Sequence, residues 1–393
     1  MNAMSRKAES FDFMFPTSER RRRLPANCRW PLSVALVALT LIVIFFAYHN
    51  PSLTDSNIIS DHPLEEIKPS PDSHHGGDLN RLVAQLYKPF LHPIDAEVFI
   101  GENEVEYKIA QNPPRFTKSL GRKILLLDVD TRPLNGEGGM MNEHIDYHTL
   151  SPHTAGMLSH YLYAMIHGYD YKFIQAPMYT DRHQTWVKVP MIREALKTYD
   201  YVVFMDADAV FHYHHLPLEW LFNHWNVTNE TMLAMALDPV ADFNLDEHGN
   251  VNLNTGFIIA QASERTTQLF NTWEDCVTDE KYANCSKWRY EWSHEQAAFS
   301  NYLRYEYTRP NEVISLPCAE ANGYPSQAQL GCTGEFVRHY WLDKGATVGA
   351  LQDAVTQYAA LRLHDQFHRR MNHTIVNATG TTLPLKDGET VTV

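Results

Sequence analysis

The longest apolar run of the chain covers residues 30–48, WPLSVALVALTLIVIFFAY, nineteen positions without a charge. At about 1.5 Å of helical rise per residue it spans roughly 28 Å, close to the thickness of a bilayer's hydrocarbon core. Beyond it the pattern breaks up. Residues 50–117 begin rich in Pro, Ser, His and Asp (PSPDSHHGGD) and become more regular from Leu79, which reads as a flexible stem. From residue 123 onward, apolar runs of strand length alternate with helical stretches. The pattern predicts strands at 123–129, 171–175 and 201–205, and helices at 153–167, 189–198 and 355–371. This alternation predicts an α/β domain on a mainly parallel sheet.

Charge gives the first run a direction. The 393 residues carry a formal net charge of −14, which argues against nucleic-acid binding through a general basic surface, and 12% aromatic residues exclude a disordered chain. Residues 1–29 hold Arg6, Lys7, Arg20, Arg21, Arg22, Arg23 and Arg29 against Glu9, Asp12 and Glu19, a local balance of +4 that leaves −18 for the rest. After the apolar run come Asp55, Asp61, Glu65, Glu66, Asp72 and Asp78, opposed before residue 80 only by Lys68. By the positive-inside rule, 1–29 is a cytosolic tail, 30–48 a transmembrane signal anchor, 49–118 a lumenal stem, and the remainder a lumenal domain. A cleaved signal peptide is the competing reading. The run is long, starts late, and exits through Tyr48, His49, Asn50 and Pro51, which offer no pair of small residues for cleavage.

Sequons at Asn226, Asn229, Asn284, Asn372 and Asn377, and four of the five cysteines, lie on the proposed lumenal side, as secretory folding requires. Sequence proximity favours bridges Cys276 to Cys285 and Cys318 to Cys332, with three pairings open. No CxxC spacing supports zinc.

The strongest chemical constellation is YVVFMDADAVF, where Asp206 and Asp208 emerge from an apolar strand. In an open α/β sheet, ligands bind beyond the carboxyl ends of strands, so two carboxylates there face a substrate. Hard oxygen ligands suit Mg²⁺ or Mn²⁺ held on a diphosphate. A solvated turn is the plain alternative for a short DxD pattern, and the apolar residues on both sides disfavour it.

Around this strand the order of motifs resembles a known family. WVKVPMIR (186–193), the DAD strand, NLNTGFII (252–259), HEQ (294–296) and GEFVRH (334–339) together resemble the fungal galactosyl/mannosyltransferases of glycosyltransferase family 34, over roughly residues 120–345. The stretch from His160 to Gly168 leading into YDYKFI is similar to that family's HGY segment. The resemblance implies a GT-A-type Rossmann-like domain at 119–393, behind a single N-terminal transmembrane helix. It implies a retaining transfer of an α-linked hexose, galactose or mannose, from a nucleotide sugar such as UDP-galactose or GDP-mannose to a mannose-containing glycan in the Golgi. By motif position, Asp206, Asp208 and His339 are the metal ligands. An imidazole beside carboxylates shifts the choice toward Mn²⁺. Asn254, Gly256, Lys188 and Lys344 fall at donor-binding positions, Lys344 as neutraliser of the departing diphosphate. Glu295 and Gln296 fall beside the reacting sugar, Gln296 holding hydroxyls.

The chain departs from the pattern twice. Gln261 stands where a basic residue is common, and Glu295 where Asp is more usual. The resemblance also makes a complex with other glycosyltransferases an expected partnership.

Two other classes are open. A lumenal lectin or scaffold could keep the fold without turnover, although intact Asp206, Asp208 and His339 oppose it. A haloacid-dehalogenase-like phosphohydrolase is suggested by Asp128-Val-Asp130 at a strand end, but Thr131 and Arg132 put its motif out of register by one.

Overall fold

The computed structural model describes residues 78–375, 382–384 and 390–392. The basic tail, the 30–48 segment, the first part of the stem and Asn377 lie outside the described residues. Among the described residues no helix is long and apolar enough to cross a membrane.

In chain order the elements are α1 (Asp78–Tyr87), β1 (Val98–Ile100), β2 (Glu106–Lys108), β3 (Ile124–Asp130), α2 (Pro152–His167), β4 (Asp170–Gln175), α3 (Lys188–Ala195), β5 (Tyr201–Met205) and β6 (Ala209–Phe211). They continue with α4 (Leu218–His224), β7 (Leu233–Leu237), β8 (Leu253–Gln261), α5 (Glu264–Asp275), α6 (Glu295–Asn301), β9 (Val313–Leu316), α7 (Cys318–Ala321), β10 (Val337–His339), α8 (Ala346–Arg369), α9 (Met371–Thr374), β11 (Thr382–Pro384) and β12 (Thr390–Thr392).

Six strands form the central sheet in the order β4-β3-β5-β8-β7-β9. The β3/β4, β3/β5 and β7/β9 pairs are parallel, whereas β8 runs antiparallel to both β5 and β7. The sheet is therefore mixed. The expected mainly parallel character holds on both sides of β8, which alone runs the other way, because β7 and β8 are joined by a loop with no crossover helix and so must run in opposite directions.

The central strands are apolar on both faces because both faces are covered. Leu125, Leu127, Val202, Phe204, Ile258 and Ala260 pack with α3, α5 and α6. Ile124, Leu126, Tyr201, Val203, Phe257 and Ile259 pack with α2 and α4 on the other side. Each fully buried large side chain of this kind contributes about 1.5–3 kcal/mol relative to exposure.

Residues 78–118, the end of the stem in the sequence reading, pack on this body. Val83 and Tyr87 of α1 bury against Leu162, Ile166, Ala354 and Tyr358, while Phe99 and Phe116 join the main core. Helix α8 starts at Ala346, well before the predicted 355, which places Lys344 two residues ahead of it. Cys276 is bridged to Cys285, and Cys318 to Cys332. The second bridge ties α7 to the approach to β10.

Candidate functional site

Chain direction brings the site together. Asp130 ends β3, Asp206 follows β5 and Asp238 follows β7, all at carboxyl ends, and antiparallel β8 begins at the same edge with Asn254. Strands β4 and β5 lie on opposite sides of β3, so this edge is a topological switch point, where ligands bind in open α/β sheets.

Beyond Asp206 the chain turns, Ala209 N–H donating to the Asp206 carbonyl at 2.8 Å, and enters β6, which pairs with β10 so that Ala209 faces His339. This two-stranded ribbon carries the imidazole to the carboxylates. One ligand atom from each of Asp206, Asp208 and His339 lies within 4.8 Å of the others. Two carboxylates and an imidazole at that spacing fit a divalent cation.

Several tight contacts fix this arrangement. A Cβ on Gly156 of α2 would stand 1.9 Å from the Ala207 carbonyl, so only glycine lets the helix touch the acidic turn. His160, 1% exposed, reaches the Asp128 carboxylate through Nδ1 at 2.8 Å and the Ala209 carbonyl through Nε2 at 2.5 Å. Burial opposes its charge, yet Asp128 and the carbonyl raise its pKa, so it donates from both nitrogens and joins β3 to β6. Asp128 also accepts from the Tyr171 hydroxyl at 2.6 Å and is 1% exposed. A carboxylate enclosed in this way cannot attack a phosphate, which removes the phosphohydrolase reading.

The Asn254-Thr255-Gly256 segment is a bulge inside β8. The partner of Met235 is Ile258 and that of Ala236 is Asn254, so the residues between are unmatched on β7. Asn254 is occupied within the protein, donating to Asp238 at 2.8 Å and accepting from Gly256 N–H at 2.8 Å. Gly256 makes room for His339, since a Cβ there would lie 2.2 Å from the ring's Cε1.

Lys188 and Glu295 are likewise internal. Lys188, 3% exposed, places its Nζ 3.0 Å from Asp206, 3.2 Å from Glu295 and 3.2 Å from the Thr255 carbonyl. Glu295, 2% exposed, also accepts from the hydroxyls of Thr185 and Thr255. Burial disfavours both charges, but Asp206 and Glu295 together raise the pKa of Lys188, and Lys188 lowers that of Glu295. Expected as donor-binding and catalytic groups, they make these contacts within the protein, Lys188 to Asp206 and the β8 bulge and Glu295 to Lys188 and two threonines. Gln296 stands closer to the opening, its amide donating to Asp238 at 2.6 Å and accepting from Thr255 N–H at 3.2 Å.

Lys344 lies at the acidic cluster: its Nζ is 2.7 Å from Asp208 and its side chain is 52% exposed. Burial raises the Asp208 pKa, but His339 and Lys344 outweigh it and hold the carboxyl well below the usual range.

Sequence reasoning missed Asp238, which receives the amides of Asn254, Gln296 and Asn322, and whose pKa burial raises. Its signal was present, an acid directly after the apolar strand LAMAL. It also missed Arg132, which forks onto Asp130 at 2.9 and 2.6 Å, is half exposed, and touches His153. Gln261 lies at the far end of β8 from the site. Of the sequon residues, Asn229, Asn284 and Asn372 are exposed and Asn226 is half-buried beside Gln111.

A glycosyltransferase involved in glycosylation of the major capsid of PBCV-1 shares 13% identity with the chain, covering 58% of it and 98% of that protein at a TM-score of 0.41. Mouse xyloside xylosyltransferase 1 in its apo form shares 14%, covering 56% and 98% at a TM-score of 0.34. No curated protein matches the chain. A family model described as nucleotide-diphospho-sugar transferase matches residues 158–386, a span that holds the DAD turn, the β8 bulge, the HEQ segment and the β6/β10 ribbon. The chain belongs to the nucleotide-diphospho-sugar transferase family.

Proposed function

We propose that this chain is a GT-A-type retaining glycosyltransferase that moves an α-linked hexose, galactose or mannose, from a nucleoside-diphosphate donor to a mannose-containing glycan. The observation that carries this reading is the Asp206, Asp208 and His339 cluster at the carboxyl edge of the sheet, with a half-exposed Lys344 on it. A divalent cation held there, Mn²⁺ by the donor set, would neutralise diphosphate charge. Lys344 would stabilise charge on the departing nucleotide, and Gln296, half-buried, would keep a second amide hydrogen for a sugar hydroxyl.

In front-face transfer an acceptor oxygen forms the new bond to the anomeric carbon as the carbon–phosphate oxygen bond breaks. The acceptor proton passes to the leaving phosphate. No basic side chain is then required, in keeping with a Glu295 whose oxygens are all engaged.

The reading includes residues 30–48 as a single span with the domain in the Golgi lumen, supported by the charge asymmetry around that segment and by the sequons. A panel of nucleotide sugars with the full chain, with and without Mn²⁺, scored for nucleotide release and glycan product, tests the chemistry. Release from no donor, or equal rates for wild type and Asp208→Ala, overturns it.

A further inference from the structure

The most exposed large apolar side chains among the described residues share one kind of place. Trp292 and Phe243 are each 79% exposed, Leu342 78% and Val240 76%. All four stand on loops that carry site residues. Val240 and Phe243 follow Asp238, Trp292 precedes Glu295 and Gln296, and Leu342 lies between His339 and Lys344. Apolar surface concentrated round a site in this way marks a binding face rather than scatter.

The two aromatic rings are held out on fixed backbone. The stretch before Trp292 is pinned by His183 N–H donating to the Arg289 carbonyl at 2.7 Å, the Trp186 indole N–H to the Trp288 carbonyl at 3.0 Å and the Tyr290 hydroxyl to the Thr180 carbonyl at 3.1 Å. After it, His294 adopts φ 61° and ψ −123°, a conformation that L side chains avoid, with its ring stacked on His183 at 3.7 Å. Strain of that order, about 1–3 kcal/mol, gathers where a ligand needs the geometry. The loop bearing Phe243 runs along α6. Asp238 accepts from Gln296 at its start, and Glu247 N–H donates to Asn301 at 2.7 Å further on.

We propose that Trp292 and Phe243 form an acceptor subsite, each ring lying against the C–H face of a sugar unit of the glycan, set back from the unit that reacts. The inference rests on the transferase reading above. A pyranose has apolar C–H patches on its faces and hydroxyls round its rim, so an exposed aromatic ring takes the face and leaves the rim to water. Position along the sheet separates this subsite from the nucleotide. Strand order runs β3-β5-β8-β7, with the switch point at β3, Asp206 after β5 and Asp238 after β7. The rings are on the Asp238 side of the acidic cluster, away from the switch point where a nucleotide binds. Chain length keeps Trp292 within about 15 Å of Gln296 and Phe243 within about 18 Å of Asp238, a reach of a few sugar units.

The test uses the full chain with Mn²⁺, a panel of nucleotide sugars and two acceptors, methyl α-mannoside and α-linked mannotetraose. Trp292→Ala or Phe243→Ala should lower the preference for the tetraose, read as the ratio of the two kcat/KM values, by about tenfold through KM, the loss expected of one stacked ring. Trp292→Tyr should restore most of it, and Leu363→Ala, similarly exposed but on α8, should leave the ratio at its wild-type value. An unchanged ratio in both alanine variants overturns the proposal. So does a fall in nucleoside-diphosphate affinity, which assigns the rings to the donor base, or the loss of a dimer in sedimentation, which assigns them to a second copy. Binding is also read without turnover: mannotetraose should shift the tryptophan emission of the wild type to the blue and leave that of Trp292→Tyr in place, and equal spectra with and without the sugar overturn the subsite. A wild type that releases nucleotide from no donor overturns the transferase reading instead, and the emission shift still decides whether the rings hold a sugar.

Discussion

Gly256→Ala tests the geometry of the site with a single methyl group. The added Cβ would stand 2.2 Å from His339 Cε1, 2.8 Å from its Nδ1 and 2.9 Å from Asn254 Oδ1. Carbon atoms in contact sit at about 3.5–4.0 Å, so the ring must retreat by more than about 1 Å. It has little room, His339 being 6% exposed, with its backbone N–H bonded to the Gly323 carbonyl at 2.8 Å and its strand paired to β6. Overpacking of this kind costs about 1–3 kcal/mol, leaving the fold intact. Displacement by about 1 Å at a reacting centre costs on the order of 10²-fold in rate. The expected result is a folded protein with Mn²⁺ affinity, read by electron paramagnetic resonance, weakened about 10–100-fold, in the range seen when the surroundings of a metal ligand are disturbed. Nucleotide release falls in parallel. Wild-type metal affinity together with a wild-type rate would refute the assignment of Gly256 as the seat of His339.

Other substitutions separate structure from chemistry. Gly349→Ala in exposed α8 meets nothing within 4 Å, so it should raise thermal stability by about 0.5–1 kcal/mol without touching activity. Lys188→Met leaves Glu295 buried without its cation and should cost about 3–5 kcal/mol in urea unfolding, most of it recovered by adding Glu295→Leu; a single variant as stable as wild type would contradict the pairing. The pH dependence of that pair has a definite sign. Glu295 has its folded pKa lowered from the ordinary 4.5, so its contribution is complete above that value and is lost as pH falls through the depressed folded one. The stability gap between wild type and Glu295→Gln should therefore be open at pH 7 and close in strong acid, and a pH-independent gap would sink the argument.

Much of this was legible in the chain, and the failures have physical causes. Strands β3 to β5 and helices α2 and α3 show in the apolar pattern because each is buried on a continuous face or stripe. The mixed sheet does not, since a strand carries no mark of its direction; β8 reads the same whichever way it runs. Asp206, Asp208 and His339 were found by motif order and are spatially adjacent. Lys188, Glu295, Asn254 and Gly256 lie at the expected edge of the sheet, with the polar side chains of the first three engaged by protein partners. Motif matching says which residues gather at a site, whereas burial and hydrogen-bond saturation decide which of them still have an atom left for a ligand. Asn322 had no signal, because it reaches Asp238 only through the packing of α7.

Saturation of that kind also sorts the two lysines. Lys188 cannot leave Asp206, being buried and bonded on three sides, so its charge is a fixed part of the site. Asp208 is buried, but Lys344 is half exposed, so solvent screens their one contact at 2.7 Å toward the surface class of about 0.2–1 kcal/mol. An approaching cation competes with it for the same carboxylate, and an approaching diphosphate offers it a better partner. Lys344→Ala should therefore move two affinities in opposite directions. Mn²⁺ binding to the protein alone should tighten by up to about fivefold, the competing pair having gone. Nucleoside-diphosphate binding in saturating Mn²⁺ should weaken, because a charge-assisted contact to phosphate is lost. Calorimetric titration of each, on a variant whose unfolding curve matches wild type, gives both signs without turnover. If the two affinities fall together, Lys344 is part of the scaffold and its place beside Asp208 is structural.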